Sequence, residues 1–243
     1  MNSPTVIITG ASSGIGRALA AAYLEHGCNV VGSGRSLARL NETAAALGQN
    51  ERFLPVAGDI GRPDTADRLV KHALARFGSI DILINNAGIF LVKPFTDYSE
   101  DDLAALVSTN LLGVVRLTQA VVRHMAPRRR GHIVNISASI ADQPLHNVPA
   151  AVPIAIKGGI NHLTKALAIE LAPHAIKVTA VAPGVVDTPM HSPDMHGFLN
   201  GLHPLGRMGT VGEVVDAVLY LTSADFTTGI VLPVDGGMTA GRW

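Results

Sequence analysis

The sequence predicts a doubly wound α/β fold, a mostly parallel sheet covered by helices on both faces, in a single domain spanning residues 1–243. Short β-branched runs alternate with longer segments of helical period along the whole chain. The runs, such as Val6-Ile7-Ile8 and Ile82-Leu83-Ile84, are apolar without polar interruption, as strands are when both sheet faces are buried. A glycine-rich turn joins the first run to the first helical segment.

Taken in order, strands are expected at 5–9, 29–33, 52–57, 80–85, 131–137, 176–182 and 230–233. Helices are expected at 14–26, 37–47, 64–77, 100–125, 153–172 and 211–223, each bounded by Gly, Pro, Ser, Asn or Asp. In the fourth helix Leu103, Leu106, Val107, Leu111, Val114 and Val121 form an apolar stripe that includes Asn110. In the fifth, Ile156, Ile160, Leu163 and Leu167 form the stripe, and Lys157 lies off it. The segment 187–208, with three histidines and three prolines, has no clear period, so residues 188–208 read as a lid over the crevice at the carboxyl end of a strand.

The 19 basic and 19 acidic residues cancel, and the one basic run, Arg128–Arg130, reads as a solvated helix end. Nucleic acid and anionic membranes are therefore not expected partners. The single Cys28 excludes an intrachain disulfide and a multi-cysteine metal site, and no metal is expected. Met1 to Gly14 lacks a signal-peptide pattern and no window holds 18 uninterrupted apolar residues, so the expected compartment is the cytoplasm.

Thr9-Gly10-Ala11-Ser12-Ser13-Gly14-Ile15-Gly16 ends the first strand and opens the first helix. Glycines there permit a tight turn and close approach of backbone to a pyrophosphate, and the helix N-terminus offers unpaired N–H groups with partial positive charge. The spacing Gly-x-x-x-Gly-x-Gly resembles the short-chain dehydrogenase/reductase family. So do Asn85-Asn86-Ala87-Gly88, Asn110, Pro183-Gly184 and Asp235-Gly236-Gly237, in that order along nearly the whole chain. The resemblance implies a Rossmann-like domain, a nicotinamide cofactor and a homo-oligomer, tetramer or dimer. It also implies that Gly10, Ser12, Ser13, Gly14, Ile15, Gly16, Asn86, Ala87, Gly88 and Lys157 hold the cofactor. Asp59 and Ile60 would lie at the adenine, and Pro183, Gly184, Val186 and Thr188 at the nicotinamide. An acidic residue at the end of the second strand would favour NAD; Gly34-Arg35 stands there, and the Arg35 guanidinium suits a 2′-phosphate, so NADP is expected over NAD.

The pattern breaks where a proton must be delivered. The family places a Tyr four residues before its Lys; here Pro153 precedes Lys157 by four, and no Tyr-x-x-x-Lys occurs anywhere. The family's serine position falls on Ala138, flanked by Ser137 and Ser139, with Ser139 the candidate to replace it. Asn110 and Lys157 are the retained catalytic positions implied by the resemblance. His146 is a candidate proton donor, as is a water chain from Lys157 through Asn110, with His191 and His203 as further candidates. The expected function is NADP-dependent interconversion of an alcohol and a carbonyl compound, a small-molecule substrate, with a non-standard proton donor. The alternatives are a catalytically silent NADP(H)-binding protein, either sensor or non-catalytic subunit, and nonredox chemistry such as a lyase's.

Overall fold

A computed structural model describes residues 3–48 and 51–241. The amino-terminal half runs β1 (Thr5–Thr9), α1 (Gly14–Glu25), β2 (Asn29–Gly34), α2 (Leu37–Leu47), β3 (Phe53–Ala57), α3 (Pro63–Phe77) and β4 (Ile82–Asn85). There follow α4 (Glu100–Val107), α5 (Gly113–Arg128), β5 (Gly131–Ile136), α6 (Ala151–Leu171) and β6 (Ile176–Pro183). The chain ends with α7 (His196–Asn200), α8 (Val211–Ser223) and β7 (Val231–Val234).

The strands form one parallel seven-stranded sheet in the order β3-β2-β1-β4-β5-β6-β7, the doubly wound arrangement expected. Alternation along β1 divides the core: Val6 and Ile8 join Leu19, Leu40, Val214 and Leu221 from α1, α2 and α8. Ile7, on the other face, joins Leu69, Leu117, Val121, Leu171 and neighbours from α3, α5 and α6. Strand order reverses between β1 and β4, so the carboxyl ends of these two strands open the crevice where ligands bind in such sheets.

The long fourth helix departs from expectation. A π-helical turn, Ser108–Leu112, separates α4 from α5 and inserts an extra residue per turn. Leu106, Asn110, Val114, Leu117 and Val121 are buried, while Val107 turns outward. A stripe counted at a constant 3.6 residues cannot register that insertion, which is why Val107 was placed on the wrong side. The continuous helical run Glu100–Arg128 is long and apolar enough by composition to cross a bilayer, but one face packs into the sheet's core.

The packing corrects two smaller expectations. The buried face of α6 carries Ile156, Ile160, Asn161, Thr164 and Ala168, so Leu163 and Leu167 are only half-buried; polar side chains with partners take their place. Arg128 is not merely solvated: it donates to Asp81 Oδ1 and to the Ile80 carbonyl, each at 2.9 Å, clamping the far end of the sheet. The 188–208 segment is folded, with a short 3₁₀ turn and α7 inside it.

Candidate active site

The turn after β1 is built for an anion. Gly10 and Gly14 have φ of 72° and 51°, and a Cβ on Gly16 would stand 2.2 Å from the Gly10 carbonyl oxygen. Ser13 begins α1 without a side-chain cap, and no acidic residue lies in the first turn. By contrast α4 and α8 carry full capping boxes, Ser99 with Asp102 and Thr210 with Glu213. The N–H groups at the start of α1 are thus left for an outside acceptor, and the glycines leave room for one: these residues fit a dinucleotide pyrophosphate. Ser12, Gly14 and Ile15 all line this turn, half-buried, and a Cβ on Gly34 would approach Ser12 Oγ to 3.2 Å.

Arg35 follows β2 directly and is exposed, just before Ser36 caps α2 by accepting from the Arg39 N–H. Asp59 is exposed, and its Oδ1 accepts from the Gly61 N–H at 2.9 Å; Ile60 is buried against Gly113.

The end of β4 is tied to β1 by two side chains, Thr9 and Asn86. Thr9 Oγ1 accepts from the Asn86 and Ala87 N–H groups at 3.0 and 2.9 Å, while Asn86 Nδ2 donates to the Thr9 carbonyl at 2.8 Å. Thr9 was not singled out from the sequence as a site residue. Its only signal there is a hydroxyl at the end of an apolar strand. Below it runs a buried polar chain that the sequence reading also missed. Asn85 Nδ2 donates to Thr118 Oγ1 and Asn135 Oδ1, and Asn135 Nδ2 donates to Thr164 Oγ1. The signal was asparagine inside two apolar strands, since a buried amide must find partners.

Asn110 and Lys157 meet at Gly88. A Cβ there would lie 3.3 Å from Asn110 Oδ1 and 3.7 Å from Lys157 Nζ, space that glycine leaves open. Asn110 clamps the backbone after Gly88, accepting from the Ile89 N–H at 2.9 Å and donating to its carbonyl at 2.7 Å. Lys157 Nζ donates to the Ile136 carbonyl at 2.7 Å, and desolvation brings its pKa down to about 8. Its place on α6 comes from the turn N-terminal to it. Pro153 is the third residue of the helix, where its missing N–H would have had no intrahelical partner.

Across from Lys157, Ser137 Oγ donates to the Lys157 carbonyl at 3.3 Å, Ala138 is half-buried, and Ser139 is fully buried with its Oγ unpartnered. His146 is exposed on the loop between β5 and α6. Among the described residues no hydrogen bond joins His146 or Ser139 Oγ to Lys157 or Asn110.

Beyond β6 the chain returns to the glycine turn. A Cβ on Gly14 would lie 3.4 Å from Thr188 Cβ, so the Pro183–Thr188 segment faces the phosphate turn. Val186 is buried and bridges to Gly209; the Gly209 N–H donates to Val185 O and the Asp187 N–H to Gly209 O, both at 2.9 Å. Gly184 donates to Val234 O at 2.9 Å. His191 is half-buried; burial and then the charge of His196 push its pKa down, and His196 in turn lies 3.9 Å from Asp187. His203 is buried, with both ring nitrogens engaged by backbone, so it has no proton-donor position facing the crevice.

Similarity to known proteins agrees with this geometry. The short chain dehydrogenase family profile matches residues 4–197. The chain belongs to that family. The 3-oxoacyl-[acyl-carrier-protein] reductase of Vibrio cholerae is 32% identical over 248 residues, covering 98% of each chain. Human L-xylulose reductase is 36% identical over 243 residues, 97% of this chain and 96% of that one. A 3-ketoacyl-(acyl-carrier-protein) reductase from Brucella melitensis, solved with NADH, superposes with a TM-score of 0.91 at 32% identity, covering 98% and 99% of the two chains. ElxO with NADP bound also scores 0.91, at 27% identity over 98% of this chain and 100% of that one. As a short-chain dehydrogenase relative, the chain carries its glycine turn, its Asn86-Ala87-Gly88 strand end and its Asn110–Lys157 pair on the elements described above.

Proposed function

We propose that this short-chain dehydrogenase is an NADP-dependent oxidoreductase that interconverts an alcohol and a carbonyl compound, with Lys157 supplying the proton that a tyrosine supplies in its family. The observation that carries the proposal is the convergence of Asn110 Oδ1 and Lys157 Nζ on the open space at Gly88, whose neighbour Ala87 packs against Gly10 of the turn that leads into the uncapped α1.

Gly10, Ser12, Ser13, Gly14, Ile15 and Gly16 would hold the pyrophosphate, and Arg35 the 2′-phosphate. Asp59 and Ile60 would bound the adenine, Asn86, Ala87 and Gly88 the ribose side, and Pro183, Gly184, Val186 and Thr188 the carboxamide. The bound nicotinamide supplies or takes a hydride. Reduction leaves an alkoxide that needs a proton, and Lys157, held on the Ile136 carbonyl with its pKa near 8, can give one near neutrality, directly or through water beside Asn110. His146 and Ser139 are the other candidates: an exposed imidazole and a hydroxyl with unused hydrogen-bonding capacity.

Two apolar faces suit a homo-oligomer. One carries Val107, Leu112 and Ile169, the other Tyr220, Phe226 and Ile230, all exposed. The second reading is a silent NADP(H)-binding protein, which the buried Pro153 and the unpartnered Ser139 Oγ favour.

Single-turnover mixing of the NADPH-loaded protein with small carbonyl compounds decides between them. The proposal expects loss of NADPH absorbance with at least one carbonyl, slowed in Lys157→Ala. Binding without any oxidation of NADPH across aliphatic, aromatic and β-keto substrates would favour the silent protein.

A further inference from the structure

His203 occupies a position where three elements meet. It lies after α7, and its ring reaches the segment that follows β6. Nε2 is 3.0 Å from the Val185 nitrogen, and Nδ1 is 3.1 Å from the Leu199 carbonyl of α7. A backbone N–H only donates and a carbonyl only accepts, so these partners fix the tautomer: Nδ1 carries the proton and Nε2 is the acceptor. The third element is the turn after β7, where a Cβ on Gly236 would lie 3.4 Å from His203 Cβ. The imidazole is 2% exposed, and a Cβ on Gly184 would come within 2.7 Å of Nε2, so glycine is needed at 184 to admit the ring.

We propose that His203 is a positioning residue, through which α7 holds Gly184, Val185 and Val186 in the register that binds the nicotinamide end of the cofactor. This rests on the cofactor reading above. Without an acceptor at Nε2 the half-buried Val185 amide would be left unsatisfied. Val185 precedes Val186, whose bridge to Gly209 anchors Asp187 next to Thr188, so the loss is transmitted toward Thr188.

The charged groups around the imidazole do not substitute for that bond. Asp235, on the turn after β7, is occupied by the N–H groups of Gly237 and Thr239 and by the Thr239 hydroxyl. On α7 itself His196 faces Asp187, and His191 lies beside them on the segment after β6. Arg207, on the loop that His203 begins, is paired with Glu213. Among the described residues no carboxylate is bonded to His203.

The test compares NADP binding, followed by calorimetry at neutral pH, in the wild-type protein, His203→Gln and His203→Leu. Glutamine offers an amide oxygen in place of Nε2 but loses the bond to Leu199; leucine fills the space and offers no acceptor. His203→Leu is expected to bind NADP roughly tenfold more weakly than the wild type, and His203→Gln to restore affinity to within about threefold of it. Equal affinities of the two variants would overturn the proposal. Nitrogen-15 spectra of histidine in the nucleotide-free wild type provide a readout that needs neither cofactor nor variant. The Nδ1–H tautomer is expected, with a scalar coupling across the hydrogen bond from the Val185 amide to Nε2. The opposite tautomer, or no such coupling, would overturn the link. Absence of NADP binding by the folded protein would overturn the cofactor reading, and with it the cofactor-positioning role, while the spectra still judge the His203–Val185 link.

Discussion

At the carboxyl end of β1, the polar groups that are not paired inside the protein point at a place a ligand can occupy; at the carboxyl end of β5, the Ser139 hydroxyl is buried without a hydrogen-bond partner. Thr9 and Asn86 satisfy one another, and the start of α1 is left uncapped where glycines keep space clear. Around β5 and α6, Pro153 is buried one turn before Lys157, and Ser139 Oγ is buried without a partner. An orphaned buried hydroxyl costs stability, typically about 1–3 kcal/mol. The residues that fit a dinucleotide are kept in detail, while Pro153 and Ala138 stand where the family's proton-delivery pair would be.

The largest effect that could break this contrast lies in the cradle. Gly16→Ala would drive a Cβ into the Gly10 carbonyl and is expected to weaken NADP binding by about 100-fold or more, measured by calorimetry, with stability lower by about 1–3 kcal/mol. Binding near the wild-type level would mean that the glycine turn does not hold the cofactor. Next is Lys157→Ala, expected to lower turnover by about 100-fold and NADP affinity by about tenfold. Reduction uses the protonated amine, so its rate should fall as pH rises through about 8, and oxidation should rise over the same range. A profile flat through that window would remove Lys157 as the proton source.

A smaller effect sharpens the contrast from the other side. Restoring the family's pair, Pro153→Tyr with Ala138→Ser, is expected to raise kcat by about tenfold while leaving NADP affinity within about twofold, because only the delivery wall changes. Arg35→Asp is expected to shift preference toward NAD by about tenfold in kcat/KM, and equal use of both cofactors before and after would remove Arg35 from recognition. The smallest effect is His146→Ala, with kcat changed by less than about twofold and an unaltered pH profile, since the imidazole is exposed and unattached to Lys157 or Asn110. A displaced acid limb in that variant would transfer the donor role to His146.

The fold was legible because its signals are local and repeated: apolar strands, caps, and the glycine turn at one junction. The cofactor wall was legible as letters in order, yet Thr9, which fastens Asn86 and Ala87, was passed over because a threonine ending a strand looks ordinary. Asn110 was placed correctly in the core but on a stripe that the π-helical turn interrupts, and no periodicity predicts an inserted residue. The sequence offers His203 as a further candidate donor on the 188–208 segment; its two backbone partners come from residues 4 and 18 positions away, and only the folded chain brings the farther one to it.

The most direct measurement is calorimetric titration of the nucleotide-free protein with NADP and NAD, alongside fluorescence titration with their reduced forms. The account predicts saturable binding of NADP and NADPH, with NAD and NADH weaker by about tenfold or more. No binding of any of the four by the folded protein, or tighter binding of NAD than of NADP, would contradict it.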